Sequence, residues 1–339
     1  MKRIAIVTGG FSSEYNISIE SAKALSGFID SELYRVYTVL IRKGSWSVKL
    51  PDGSRSEIDK NDFGFWANGR KIRFDYVYIT IHGRPGEDGR LQAYFDLLDI
   101  PYSSCGVLTG ALAFNKYIVN QFLKTQGVRV ADSIRLQKYL YRGDFRSDTL
   151  YDFIADGRPF SEDEVVSRLG LPVFVKPNGG GSSYGITKVK ATSQLLPAIE
   201  KAFEEDNEVI VERMIEGREV TCGCYQTYYR QVVFPITEII TENEFFDYNA
   251  KYKNESEEIT PASLPDELTA AIQQETIRIY NLIGAKGLIR VDYIIPSDNL
   301  PVMLEINTNP GLTKASIIPQ QIKAAGLDIK DVMTYLIEN

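Results

Sequence analysis

Two stretches close to the C-terminus limit what this chain can become: L-I-R-V-D-Y-I at 288–294 and V-M-L-E-I-N-T-N-P-G at 302–311. Each reads as a β-strand, and side chains alternate faces along a strand. Arg290 and Asp292 therefore share one face, with Ile289, Val291 and Tyr293 on the other. In the second run Glu305 and Asn307 share a face, while Val302, Leu304 and Ile306 point away. The intervening P-S-D-N-L-P is rich in turn formers and folds the two runs into a hairpin. The preferred register sets Asp292 opposite Glu305 and Arg290 opposite Asn307. Directly opposed side chains stand roughly 4.5–5.5 Å apart at Cβ, where like charges repel. Two carboxylates and an amide carbonyl on one face, with an arginine beside them, make chemical sense around a hard cation carrying phosphate oxygens. The plain alternative is an amphipathic hairpin with one wet face.

At 339 residues the chain has room for two or three domains. It is 44% hydrophobic and 24% charged, values of a soluble globular protein. Its apolar runs fall far short of the roughly 20 residues that span a bilayer, so no membrane segment is expected. The opening M-K-R-I-A-I-V-T-G-G has too short an apolar core for a secretory signal and reads as a first strand, which places the protein in the cytoplasm. The net charge of −7 is scattered and leaves no basic patch for nucleic acid. Cys105, Cys222 and Cys224 form no metal-binding spacing and are read as buried, reduced thiols.

Strand and helix signals alternate from the start. Residues 3–8 read as a buried strand, 17–29 as a helix and 74–81 as a further strand. The next helix sets Leu91, Tyr94, Phe95 and Leu98 on one side. The alternation implies an α/β fold with a parallel, doubly wound sheet over residues 1–104. A long helical pattern at 107–126 carries Lys116. Residues 139–170 are charged and poorly periodic, and a helix with loops is one reading among others. From 171 a run of short strands suits an antiparallel sheet, giving α+β character to the C-terminal part. The polar segment 241–263 reads as a mobile loop, 266–283 as a helix and 328–337 as a closing helix.

Other stretches also carry chemistry. In V-F-V-K-P-N-G-G-G-S-S-Y-G (173–185) a strand ends at Lys176 and opens into a glycine- and serine-rich loop. Such a loop wraps backbone N–H groups around phosphate, and the lysine adds charge. It is not a Walker loop, because the lysine precedes the glycines. I-T-I-H-G-R-P-G-E-D-G (79–89) lies at the C-terminal end of a strand, the edge where open α/β sheets bind ligands, and holds His82, the only histidine. G-G-F-S-S-E (9–14) also follows a strand but lacks the third glycine of a dinucleotide loop. Glu212 and Glu219 flank a strand junction, where they serve either as ribose acceptors or as exposed salt-bridge partners.

Taken together, G-G-F-S-S-E, H-G-x-x-G-E-D-G, the K-P…G-S-S-x-G loop and R-x-D…E-x-N-T-x-P-G resemble the ATP-grasp enzymes, and within them the D-alanine–D-alanine ligases, in family order along nearly the whole chain. The resemblance implies an N-terminal Rossmann-like domain (1–104), a small ATP-grasp lobe (105–215) and a large lobe (216–339) whose segment 241–263 is a catalytic lid. It implies that ATP phosphorylates one D-alanine, that the amine of a second D-alanine attacks the acyl phosphate, and that the dipeptide serves peptidoglycan synthesis.

By the same resemblance Asp292, Glu305 and Asn307 hold two Mg²⁺ or Mn²⁺ ions, and Lys116 and Lys176 hold nucleotide phosphates together with the Gly181–Ser182–Ser183 loop. Glu212 and the adjoining backbone of Arg213 and Ile215 border the adenine, and Glu219 takes the ribose. Glu14 meets the first substrate's ammonium and His82 lies near its carboxylate. Arg290 and the N–H of Gly311 stabilise the oxyanion. Ser316 takes the second carboxylate, Ser182 and Tyr252 fasten the lid to Glu14, and Lys251 approaches the transferred phosphate. A homodimer follows from the likeness. One departure is Arg90, where relatives place a small hydroxyl residue.

Three other readings stand beside this one. A D-alanine–D-lactate ligase would carry a histidine where Tyr252 stands. A nicotinamide-dependent dehydrogenase is suggested by I-A-I-V-T-G-G alone, and a non-catalytic ATP-binding regulator would not need the full set of acids, arginine and lysines.

Overall fold

The computed structural model describes residues 1–138, 153–155, 158–159, 161–181, 184–241 and 256–339, and three sheets organise them. The first runs in the order β6-β5-β4-β3-β2-β1-β7, with β1 (Lys2–Gly9), β2 (Tyr34–Arg42), β3 (Ser45–Lys49), β4 (Arg55–Asp59), β5 (Gly64–Ala67), β6 (Arg70–Ile72) and β7 (Tyr76–Ile79). β1 pairs in parallel with both β2 and β7. The parallel sheet read from the sequence is confined to these strands: from β2 to β6 every pairing is antiparallel. Turn chemistry is the reason. Asn68 and Gly69 both take positive φ, 49° and 71°, the pair of left-handed residues a tight hairpin needs.

Alternation along β1 splits the core. Ile4 and Ile6 pack with the helix Tyr15–Phe28 and with the helices Ile317–Ala324 and Ile329–Glu338. Ala5 and Val7 pack on the other face with Phe95 and the aromatic side chains of the meander. The C-terminal helix thus covers the first sheet, and Tyr76 Oη donates to the carbonyl of Leu336 at 3.0 Å.

The second sheet runs β10-β9-β8-β13-β11-β12. Its strands are β8 (Ser133–Lys138), β9 (Phe153–Ala155), β10 (Arg158–Pro159), β11 (Val173–Pro177), β12 (Thr187–Val189) and β13 (Glu208–Arg213). The third runs β17-β16-β14-β18-β19, with β15 paired to β14. Here β14 is Arg218–Gln226, β15 Gln231–Val233, β16 Thr237–Thr241, β17 Ser256–Ile259, β18 Gly287–Ile295 and β19 Val302–Asn307. The strands after residue 171 therefore divide between two antiparallel sheets instead of forming one. Pro235, which has no N–H for the ladder, separates β15 from β16.

The expected helix at 107–126 is two helices, Val107–Phe114 and Lys116–Thr125. Asn115 leaves helical geometry at φ −92°, ψ 94°, and its side chain accepts from the N–H of Ile118 at 2.9 Å, capping the second helix. The break carries function: it bridges Asn115 to Gly179 and lets the N–H of Lys116 donate to the carbonyl of Asn178 at 3.1 Å. Lys116 is thereby fixed against the glycine loop.

Candidate active site

The hairpin register is the one read from the sequence: β18 and β19 pair Arg290 with Asn307 and Asp292 with Glu305. The ladder slips after Asp292, so that Tyr293 faces Met303. Arg290 donates from Nε and Nη2 to the two oxygens of Asp292, each at 2.8 Å. From β14, the Thr221 hydroxyl also donates to Asp292 Oδ1. Asn307 Oδ1 accepts from the N–H of Asn309 at 3.1 Å. Lys116 Nζ lies 3.7 Å from Glu305 Oε2. Among the described residues no three His, Cys, Asp or Glu side chains cluster at metal-binding distance, so the candidate set is two carboxylates and an amide. The set fits a hard cation: all its donors are oxygens, and Asp292 is directly opposed to Glu305, a juxtaposition a cation relieves.

Next to this face lies a cavity of about 530 Å³, within the usual range for small-molecule sites. Lys116, Lys176, Glu212, Glu219, Asp292 and Glu305 all line it, as do Gly181, Arg213 and Ile215. Lys176 Nζ donates to Glu212 Oε2 at 2.6 Å, and Asn120 Nδ2 reaches Glu212 Oε1 at 3.4 Å. Glu212 is only 3% exposed, so of the readings for this residue the salt bridge is present, but buried. The loop after β11 is anchored at every turn. Asn178 Oδ1 accepts from the N–H of Tyr117 at 2.8 Å, Gly179 N–H donates to Asp206 Oδ2 at 2.7 Å, and Lys116 Nζ donates to the carbonyl of Gly180 at 2.5 Å.

The loops after β1 and β7 close the other side. Glu14, 5% exposed, stands at the start of the helix Tyr15–Phe28. A Cβ on Gly181 would sit 3.0 Å from Glu14 Oε1, and one on Gly83 3.2 Å from Glu14 Oε2, so three loops meet at this carboxylate. A second cavity of about 340 Å³ opens against Glu14 and Gly181. His82 is buried, with Nε2 3.2 Å from Ser21 Oγ, its N–H donating to Ser18 Oγ and its carbonyl accepting from Ser12 Oγ. Burial, helped by the charge of Arg290, lowers its pKa to about 4 and keeps the imidazole neutral near pH 7.

Glu87 accepts from the N–H of Gly83 at 2.6 Å. Burial first, then the charge of Glu14, raises its pKa to about 8. Glu87 and Asn309 both lie in motifs visible in the sequence without standing out there, and Thr221 is not marked as a site residue at all. Alternation along β14 was the available signal for Thr221. Past β19, Asn309 Nδ2 donates to the carbonyl of Ile81. Ser316 Oγ accepts from the N–H of Thr313 at 3.1 Å and lies 3.0 Å from where a Cβ on Gly311 would be. Ser182, Ser183, Lys251, Tyr252 and most of the expected lid lie outside the described residues.

The two glycines at the end of β1 do not answer to a nicotinamide cofactor. A Cβ on Gly9 would fall 2.5 Å from the carbonyl oxygen of Ile41, and one on Gly10 2.6 Å from Ile81. Packing within the fold accounts for both.

Known proteins place the chain. The family model for the D-ala D-ala ligase N-terminus matches residues 3–105, and that for the D-ala D-ala ligase C-terminus matches residues 152–338. The D-alanine–D-alanine ligase of Parabacteroides distasonis is 57% identical over 338 residues, covering 100% of this chain and 97% of its own length. The VanG D-Ala:D-Ser ligase from Enterococcus faecalis superposes with a TM-score of 0.83 at 31% identity, covering 99% of this chain and 98% of the other. The Bacillus anthracis D-alanine–D-alanine ligase complexed with ATP gives a TM-score of 0.74 at 26% identity, over 100% and 97% of the two chains. With both halves matched and more than half of its residues shared end to end with such a relative, the chain belongs to the D-alanine–D-alanine ligase family.

Proposed function

We propose that this chain is an ATP-dependent ligase that joins two D-alanines into D-alanyl-D-alanine for peptidoglycan precursor synthesis. One observation carries the reading. The acidic face of β18 and β19, Lys116 and Lys176 share one cavity, and the loop that ends it, at Gly181, touches Glu14. That is the layout a phosphoryl transfer to a bound carboxylate needs.

In this reading Lys116 and Lys176 hold the nucleotide phosphates with the N–H groups of Gly181, Ser182 and Ser183. Glu212 and the backbone at Arg213 and Ile215 border the adenine, and Glu219 accepts from the ribose. Asp292, Glu305 and Asn307 would hold two Mg²⁺ or Mn²⁺ ions, which when bound neutralise charge on the phosphates. Glu14 takes the ammonium of the first D-alanine, and neutral His82 lies by its carboxylate. The carboxylate becomes an acyl phosphate, the amine of the second D-alanine attacks its carbonyl carbon, and the tetrahedral centre expels phosphate. Arg290 and the Gly311 N–H donate to the oxyanion of that centre. The Ser316 hydroxyl donates to the second substrate's carboxylate. Lys251 and Tyr252 act from the lid, Tyr252 bonding with Ser182 and Glu14 to keep water from the acyl phosphate.

The organisation proposed with it is a substrate domain at 1–104 and two ATP-grasp lobes at 105–215 and 216–339, working in the cytoplasm. Among the described residues no helix is long and apolar enough to cross a membrane. A homodimer is proposed as well: Leu97 and Leu108 are 84% and 81% exposed on neighbouring helices. Phosphate release with ATP and D-alanine, with L-alanine as control, tests the activity. Products from D-alanine alone and mixed with D-lactate or D-serine test the second substrate, and a dominant ester with D-lactate or a dominant D-alanyl-D-serine overturns the D-alanyl-D-alanine assignment.

A further inference from the structure

Arg84 stands where three loops meet. It lies two residues after His82, and its carbonyl accepts from the N–H of Phe11 at 2.9 Å, in the loop that leads to Glu14. Its guanidinium lies 5.2 Å from the ring centroid of Phe114, at the end of the helix that Asn115 interrupts. The guanidinium also pairs with Asp88 at 3.7 Å and donates to Asp206 Oδ1 at 3.4 Å. Asp206 belongs to the second sheet's side of the molecule, and its other oxygen receives the N–H of Gly179, the first glycine of the nucleotide loop.

The arrangement leaves little slack. A Cβ on Gly179 would fall 2.7 Å from Phe114, 2.8 Å from Asp206 and 3.2 Å from Arg84 Nη2. The side chains of Asp88 and Asp206 are 8% and 10% exposed and that of Arg84 is 38% exposed, so the two carboxylates are held inside the fold while the guanidinium that joins them stays partly in solvent. A planar guanidinium can stack on a ring and donate in its plane at once, which an ammonium cannot. Arg84 is thereby connected, through one further residue in each direction, to the loop of Glu14 and to the loop of Gly181.

We propose that Arg84 is a positioning residue that couples nucleotide seating to first-substrate seating, by holding the glycine loop at 179–181 against the loops of Glu14 and His82. A nucleotide that orders the glycine loop would then order the amino-acid site through Asp206 and Arg84, and the reverse must hold to the same degree. The proposal rests on the ligase reading for the identity of the two ligands.

The test is equilibrium binding of Mg·ADP by calorimetry with and without saturating D-alanine, on the full chain. The wild-type protein should show a mutual enhancement of about fivefold or more. Arg84→Met should bring that factor close to one. Arg84→Lys should restore only part of it, because it keeps the charge but not the fork. Asp206→Asn keeps an acceptor for Gly179 and loses the ion pair. It should match Arg84→Met, and the double variant should be no worse than either. Should Arg84→Met fail to fold, Asp206→Asn alone decides. An enhancement unchanged in the variants, absent in the wild type, or preserved while both affinities fall together overturns the proposal. Phosphate release by the wild type is the separate control, since its absence refutes the ligase reading whatever the binding shows.

Discussion

The side-chain amide of Asn309 donates to the carbonyl oxygen of Ile81 at 2.9 Å, across 228 residues of chain and out of contact with solvent. It fastens the loop after the acidic strand β19 to the strand end that carries His82. Without the amide, the Ile81 carbonyl would lose this donor in a buried setting. Asn309→Ala should cost about 1–3 kcal/mol, read as a fall in the urea midpoint at constant slope. An unchanged midpoint would mean that the two loops are held by other contacts.

Glu305→Gln should uncouple stability from turnover. The substitution removes one of two directly opposed carboxylates, Asp292 and Glu305. In metal-free buffer stability should change by less than about 1 kcal/mol, because relief of the like-charge contact with Asp292 is offset by loss of the ion pair with Lys116, 3.7 Å away. Turnover should fall at least about 100-fold, since a neutral amide binds a divalent ion on phosphate far less well than a carboxylate does. Phosphate release near the wild-type rate would remove Glu305 from the ion set.

The acidic hairpin was legible in the sequence down to its register, because strand alternation and a short turn leave few ways to pair the runs. Glu212 shows the limit of the same reasoning. Its strand position was clear, but whether it meets solvent, ribose or Lys176 depends on β11 lying beside β13. Asn115 marks a local signal overlooked: asparagine inside an apolar periodic run is a cap in waiting, and it divides the expected helix. Arg84 and Asn309 act through partners far away in sequence, and nothing in the spacing of residues points to them; alternation along β14 marks the face of Thr221 but not its partner Asp292.

Lys176 and Glu212 form an ion pair with side chains 11% and 4% exposed. Removing one partner strands the other charge, so Lys176→Met should destabilise by about 3–5 kcal/mol. The double variant Lys176→Met/Glu212→Leu should recover most of that loss, since an apolar pair of similar volume replaces the ions. Nucleotide affinity should stay low in both. Chemical denaturation and ADP titration together check this, and recovery of affinity in the double variant would show that neither residue touches the nucleotide.

Stability should respond to pH through His82 and Glu87 with opposite signs. Burial lowers the His82 pKa to about 4, below its unfolded value of 6.5. Between these values the unfolded chain takes up a proton that the folded chain refuses. Stability is therefore full above 6.5 and is lost as pH falls toward 4, by about 3 kcal/mol in all. Glu87 is raised to about 8 from 4.5, so the folded chain keeps a proton the unfolded chain gives up. Its contribution is full below 4.5 and is lost as pH rises through 8. Where the windows overlap, from 4.5 to 6.5, the two slopes offset each other, and from 6.5 to 8 only the fall due to Glu87 remains. Urea midpoints from pH 4 to 9 should show this plateau and fall. Glu87→Gln should abolish the decline above pH 6.5, and His82→Gln should steepen the curve between 4.5 and 6.5 by removing the opposing slope. A decline that survives Glu87→Gln would assign it to another group and leave Glu87 ionised in the folded protein.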